Sequence, residues 1–187
     1  TRATTSKLVR VQTTDAFATR AIHVGQDPDA KTGAMAVPIY QTSTFAMDRP
    51  GELRDGYDYT RSGNPTRTAL QQVLASLEGG RHGQAFASGM AAIDCFLRTV
   101  LHAGDHLVVP ADGYGGTFRM LDRHLVPWGV SYTSVPMEDL DAVRAALRPS
   151  TRVVWCETPT NPLLGIADIA ALAELAHGAG ALFAVDN

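Results

Sequence analysis

HLVVPADGYGGTF, residues 106–118, sets the pattern of this chain. HLVVP is a short apolar run rich in β-branched residues, bounded by polar residues and glycine, and reads as a buried strand. ADGYGG supplies a loop, and a helix is expected near 115–125. The same unit recurs on either side. Downstream, VSYTSV (130–135) precedes EDLDAVRAAL (138–147), RVVWCE (152–157) precedes DIAALAELAHGAG (168–180), and LFAVD (182–186) closes the series. Upstream, QAFA (84–87) reads as a strand followed by a helix from Gly89 to about Leu101. Alternating strands and helices predict an α/β fold, a mostly parallel sheet with helices on both faces.

The region before this series is organised differently. SGNPTRTALQQVLASLEGG (62–80) is a punctuated helix, with Asn64 suited to the N-cap, Pro65 to the first helical position and Gly79 to the stop. Ala69, Leu70, Val73, Leu74 and Leu77 share one face. Residues 15–48 hold one short helix candidate, DAFATRAIHVG, and the extended-looking PIYQTSTF, too little for an independent core. Residues 1–14 are polar, without a clear period, and are read as mobile.

Composition removes several function classes. The 187 residues suffice for one domain with a sizeable core. A net charge of −3 offers no basic face for nucleic acid. The apolar runs are too short for a bilayer, and the N-terminus lacks the apolar core of a signal peptide. Cys95 and Cys156 stand apart in apolar settings, which points to buried reduced thiols in a cytoplasmic protein rather than a disulfide or a metal site. Fourteen arginines stand against two lysines, Lys7 and Lys31.

Five stretches could carry chemistry. In FASGMAA (86–92), Ser88 and Gly89 form a tight strand-to-helix turn whose free N–H groups suit an anion, although such turns also serve geometry alone. No GxxxxGK[ST] pattern is present, so a P-loop is not expected. In YDYTRSGNPT (57–66), Tyr59 and Arg61 occupy a polar loop, where an arginine suits a bidentate phosphate or carboxylate contact or is simply solvated. Glycines flank Tyr114 and leave its ring free to stack on a flat ligand or to serve as a turn residue. In ETPTNP (157–162), Glu157 marks a strand end, two prolines fix the path, and the Asn161 amide can meet a ligand oxygen or its own backbone. Asp186 ends LFAVD, where a carboxylate at a buried strand end calls for a positive partner. Together they comprise a phosphate turn, a phosphate arginine, a stacking ring, an oxygen partner and a counter-ion for a ring nitrogen. That inventory describes pyridoxal 5′-phosphate (PLP).

The chain resembles the Cys/Met-metabolism family of PLP-dependent enzymes, which includes cystathionine γ-lyase, cystathionine γ-synthase and methionine γ-lyase. TRAIHVGQ, PIYQTSTF, YTRSGNPT, FASGMAAI, YGGTFR, ETPTNP and AVDN carry the likeness, in family order from residue 19 onward. The resemblance implies the large domain of a fold-type I, aspartate aminotransferase-like PLP enzyme. Residues 1–48 would form an arm packing on a neighbouring subunit and residues 49–187 the PLP-binding domain. It implies that Ser88, Gly89 and Met90 form the phosphate turn, that Tyr59 and Arg61 reach the phosphate of a neighbouring subunit, and that Tyr114 stacks on the cofactor and helps activate substrate. Asn161 would lie near the phenolic oxygen and Asp186 would pair with the pyridinium nitrogen. Active sites would be shared in a homodimer, and the family usually pairs such dimers into a tetramer. The family's Schiff-base lysine lies beyond VDN, so the chain is expected to be the first half of a longer enzyme and inactive alone. The implied reaction is γ-elimination on a sulfur amino acid, cystathionine γ-lyase-like, giving a thiol, ammonia and a 2-oxo acid. Gly116 stands where methionine γ-lyases typically carry cysteine. Methionine γ-lyase, γ-replacement (cystathionine γ-synthase or a homoserine-ester sulfhydrylase) and a non-catalytic fragment or paralogue remain the alternatives. A nucleotide-binding Rossmann domain is disfavoured, because FASGMAA lacks GxGxxG spacing.

Overall fold

The computed structural model describes residues 14–187, so the expectations for residues 1–13, Lys7 among them, lie outside the described residues. The chain divides into two compact units at Ala85/Phe86.

In the first unit, helix α1 (Phe17–His23) is followed by a two-stranded antiparallel hairpin, β1 (Met47–Arg49) and β2 (Glu52–Leu53), and by helix α2 (Pro65–Leu77). Asn64 caps α2 as its sequence suggests: its side chain accepts from Thr66 N–H at 2.9 Å while its amide donates to the Tyr40 carbonyl at 2.9 Å. Thr66 Oγ1 donates to the Pro38 carbonyl and accepts from Tyr40 N–H, both at 2.9 Å, so the cap also fastens the extended PIYQTSTF segment. The Arg20 guanidinium donates to the Ser76 carbonyl and ties α1 to α2. Gly25, at φ +69°, lies where a Cβ would stand 2.6 Å from the Ala69 carbonyl oxygen, so the crossing admits only glycine. Among the described residues of this unit only Asn64 is buried, and Leu70 and Leu74 of the α2 apolar face stay exposed.

The second unit holds the series predicted from HLVVP. Helix α3 (Gly89–Val100) leads to β3 (His106–Pro110), α4 (Gly115–Met120), β4 (Ser131–Val135), α5 (Leu140–Ala146), β5 (Thr151–Glu157), α6 (Ile169–Gly178) and β6 (Leu182–Asp186). A π-helical turn, Leu121–Leu125, extends α4. All four strands are parallel, in the order β4-β3-β5-β6. The period-2 alternation of the strands divides their side chains between two cores. Leu107, Val109, Val153 and Trp155 meet Ile93 and Leu97 of α3 and Met120 of α4. Val108, Val154 and Cys156 meet Val143 of α5 and Leu172 and Ala176 of α6. Helices therefore cover both faces of the sheet, as expected.

Two expectations fail. QAFA is not a strand. An isolated extended run needs a ladder partner, and the Ala85 N–H instead donates to the Gln71 side chain at 3.1 Å. Cys95 is exposed rather than buried. Ile93 and Leu97, four apart on α3, face the sheet, so Cys95 between them points away. Cys156 is fully buried, and its thiol is pushed up to about 11 by that burial, with the Glu157 charge adding to the effect. Iodoacetamide at pH 8 is therefore expected to alkylate Cys95 and spare Cys156 until denaturant is added. Peptide mass mapping reads this directly, and native labelling of Cys156 would contradict its burial.

Candidate active site

The strand order reverses at β3. The chain runs outward from β3 to β4, then returns to place β5 on the opposite side of β3. Such a switch point opens a crevice at the carboxyl ends of the two strands. The loops that leave those ends carry Tyr114 after β3 and Asn161 after β5. In-register pairing brings Asp186, the last residue of β6, beside Glu157, the last of β5. Alternation then decides which face each acid takes. Glu157 shares parity with Trp155, and Asp186 with Ala184, both of which pack on the α3/α4 core.

Helix α3 contributes its N-terminus. Ser88 is the N-cap, and its Oγ accepts from Ala91 N–H at 3.2 Å. The N–H groups of Gly89 and Met90, in the first turn, have no acceptor within the helix. Gly89 leaves open space in front of them, with nothing within 4 Å of where a Cβ would stand.

A cleft of about 290 Å³ is lined by Gly89, Met90, Tyr114, Asn161 and Asp186, together with Glu157. Five residues singled out from the sequence thus meet at one place. Ser88 caps the helix that opens onto it. Its donors gather at a helix end and its carboxylate on a strand end, which suits a flat ligand anionic at one end and protonated at the other. The phosphate and pyridinium of PLP have that charge pattern. The described residues contain no cluster of histidine, cysteine and acidic side chains able to hold a metal.

Tyr114 is two-fifths exposed and lines the cleft. Its placement depends on Gly116. A Cβ there would stand 2.3 Å from the Tyr114 ring, so any side chain at 116 displaces the ring. Tyr59 and Arg61 belong to the first unit, where the guanidinium carbon lies 5.1 Å from the centre of the Tyr59 ring. Both are exposed. Lys31 lies on an exposed turn, its N–H bonded to Asp29.

The loops are joined to each other by contacts that the sequence did not reveal. Glu157 is buried, and its carboxylate accepts the Tyr114 N–H at 2.5 Å on one oxygen and the Asn161 N–H at 2.9 Å on the other. Thr160 Oγ1 donates to Asp112 Oδ2 at 2.6 Å and accepts the Gly165 N–H at 2.8 Å. A glutamate at a strand end was visible in the sequence, but the partner of each oxygen depends on which loops lie above it.

The Cys/Met metabolism PLP-dependent enzyme family model matches residues 18–187. A cystathionine γ-synthase of Mycobacterium tuberculosis is 58% identical over 170 residues, covering 91% of this chain and 44% of that protein. A cystathionine β-lyase of Lactococcus lactis is 46% identical over 169 residues, covering 90% of this chain and 44% of that protein. The crystal structure of cystathionine γ-lyase from Lactobacillus plantarum, complexed with L-serine, superposes with a TM-score of 0.87 at 48% identity, over 92% of this chain and 45% of that one. The chain spans about half the length of the relatives it matches.

Proposed function

This chain belongs to the Cys/Met metabolism family of PLP-dependent enzymes, and from that premise we propose that it serves γ-replacement on a sulfur amino acid precursor, joining cysteine to an activated homoserine ester. The 58% identity to a cystathionine γ-synthase favours replacement over the γ-elimination implied by the family resemblance alone. Elimination remains the second reading, supported by the likeness to the γ-lyase of L. plantarum.

The observation that supports PLP binding in this reading is the convergence of Gly89, Met90, Tyr114, Asn161 and Asp186 on one cleft. PLP bound there supplies an electron sink for the carbanion formed when an amino-acid substrate loses its α-proton. The residues of this chain hold and orient that group. The Ser88 hydroxyl and the N–H groups of Gly89 and Met90 hold the phosphate at the α3 N-terminus. Asp186 keeps a proton on the ring nitrogen by offering it a fixed negative partner. Tyr114 stacks its ring and orients substrate, while Asn161 offers its amide to the phenolic oxygen. Tyr59 and Arg61 reach a phosphate in a neighbouring subunit, so the dimer is the smallest working unit and residues 14–48 pack across it. We place the protein in the cytoplasm as a tetramer of two such dimers. No described helix is long and apolar enough to cross a membrane.

Product analysis of the full-length, PLP-loaded protein tests the assignment. An O-acyl homoserine with cysteine is expected to give cystathionine faster than cystathionine alone is consumed. Release of 2-oxobutanoate and cysteine from cystathionine as the dominant reaction would favour γ-elimination. Release of pyruvate and homocysteine would favour β-elimination, and no turnover in any assay would reject the reading.

A further inference from the structure

Glu157 is 5% exposed, and it forms no ion pair with an arginine, lysine or histidine among the described residues. A carboxylate removed from water is costly unless donors replace its hydration. Here the donors are two backbone N–H groups, and they belong to Tyr114 and Asn161 themselves. Space around the acid is also restricted. A Cβ at Gly113 would stand 3.1 Å from Glu157 Oε2 and 2.7 Å from Pro110 Cγ, so the loop before Tyr114 runs tight against the carboxylate. The loops have a separate tie at Asp112–Thr160, so Glu157 is not their only link.

We propose that Glu157 is a positioning residue that sets Tyr114 and Asn161 at a fixed separation across the cleft, so that the stacking ring and the amide address the same flat ligand. The inference rests on the reading of the cleft as a PLP site. The geometry is specific to a carboxylate. Two acceptor oxygens on one rigid, planar group receive two N–H donors from two different loops, and a glutamine at 157 offers an acceptor to only one of them. The other loop then faces an NH₂ group and must shift. The second register partner, Asp186, stays in place because its pairing with residue 157 is through the backbone.

The test compares Glu157→Gln with Thr160→Val in the full-length protein. Thr160→Val breaks the neighbouring tie without touching either amide. Hydrogen exchange in the cofactor-free protein is expected to speed up roughly 10-fold or more at Tyr114 or Asn161 in Glu157→Gln, and at neither in Thr160→Val. With PLP bound, Glu157→Gln is expected to shift the visible absorbance band of the cofactor. It should also lower kcat by roughly 10-fold with KM within about twofold, the mark of misplaced groups rather than lost affinity. Thr160→Val should lower Tm and leave the band unmoved. Unchanged exchange at both amides in Glu157→Gln overturns the clamp. Faster exchange with an unmoved band and full kcat overturns the positioning role. Should Glu157→Gln fail to fold, Glu157→Asp keeps the charge but is one methylene too short to reach both loops. The same shifts are then expected of it, and wild-type exchange in that variant also overturns the proposal. A wild-type protein that takes up no PLP refutes the cofactor reading, and the exchange data still decide the clamp.

Discussion

Asp186→Asn is expected to slow removal of the substrate α-proton by roughly 100-fold or more, about 3 kcal/mol of lost transition-state stabilisation, with the fold unchanged. Asparagine keeps the shape of aspartate. The contacts that hold residue 186 are backbone ones: the ladder with Glu157 and the Thr158 N–H donating to the Asp186 carbonyl at 3.1 Å. Neither depends on the side chain. What changes is charge. On the proposed reading a carboxylate at 186 would favour a protonated ring nitrogen on the bound cofactor and a neutral amide would not, so the variant would accept the electrons left by the departing proton less readily. The measurement is exchange of the α-proton into deuterated water, followed by NMR with the full-length PLP-loaded protein. This readout isolates the first proton transfer from later steps at Cγ, so it holds whether the enzyme replaces or eliminates. Exchange at the wild-type rate, with PLP still bound, would remove Asp186 from the mechanism.

The elements of the second unit were legible because their signals are local. HLVVP is a strand over the expected residues, His106–Pro110, and LFAVD over Leu182–Asp186. In the first unit, Asn64-Pro65 opens α2 as the capping pattern dictates. What local pattern cannot carry is the identity of partners in space. QAFA has the composition of a strand but is given no ladder, and its Ala85 N–H turns to a side chain. The helix near 115–125 is continuous in sequence, yet its second half widens into a π turn at Leu121–Leu125. The α2 apolar face reads as a core face, and within the described residues it is not buried. The same division holds in the cleft. Ser88-Gly89 could be named as a helix-opening turn, and Tyr114, Asn161 and Asp186 from their places at or after strand ends and from residue type. Glu157 could be seen but not understood, because its two hydrogen bonds exist only once the β3 and β5 loops stand side by side.

At the opposite end of the sheet from that cleft, the start of β3 carries a polar residue whose protonation is expected to govern acid stability. His106 is fully buried. Its Nδ1 bonds Thr151 Oγ1 and its Nε2 bonds Thr133 Oγ1, each at 2.9 Å, so one imidazole bridges β4, β3 and β5. Arg148 donates to the same Thr133 hydroxyl at 3.0 Å. Burial, and then the Arg148 charge, lower the His106 pKa from 6.5 to about 4. The unfolded chain therefore binds a proton here at a pH where the folded chain does not. Stability from this group is complete above pH 6.5 and falls as the pH drops toward 4, by roughly 3 kcal/mol across the window. Two measurements check it. The imidazole resonances of His106 should stay those of the neutral ring until the pH nears 4. Denaturant midpoints should drop between pH 6.5 and pH 4 more steeply for the wild type than for His106→Asn, which keeps a donor and an acceptor but cannot titrate. His106→Asn is also expected to be less stable at pH 7.5, since the shorter side chain cannot span both threonines. Equal pH slopes for the two proteins would mean that the acid sensitivity lies in the carboxylates, and that the buried histidine is protonated without cost.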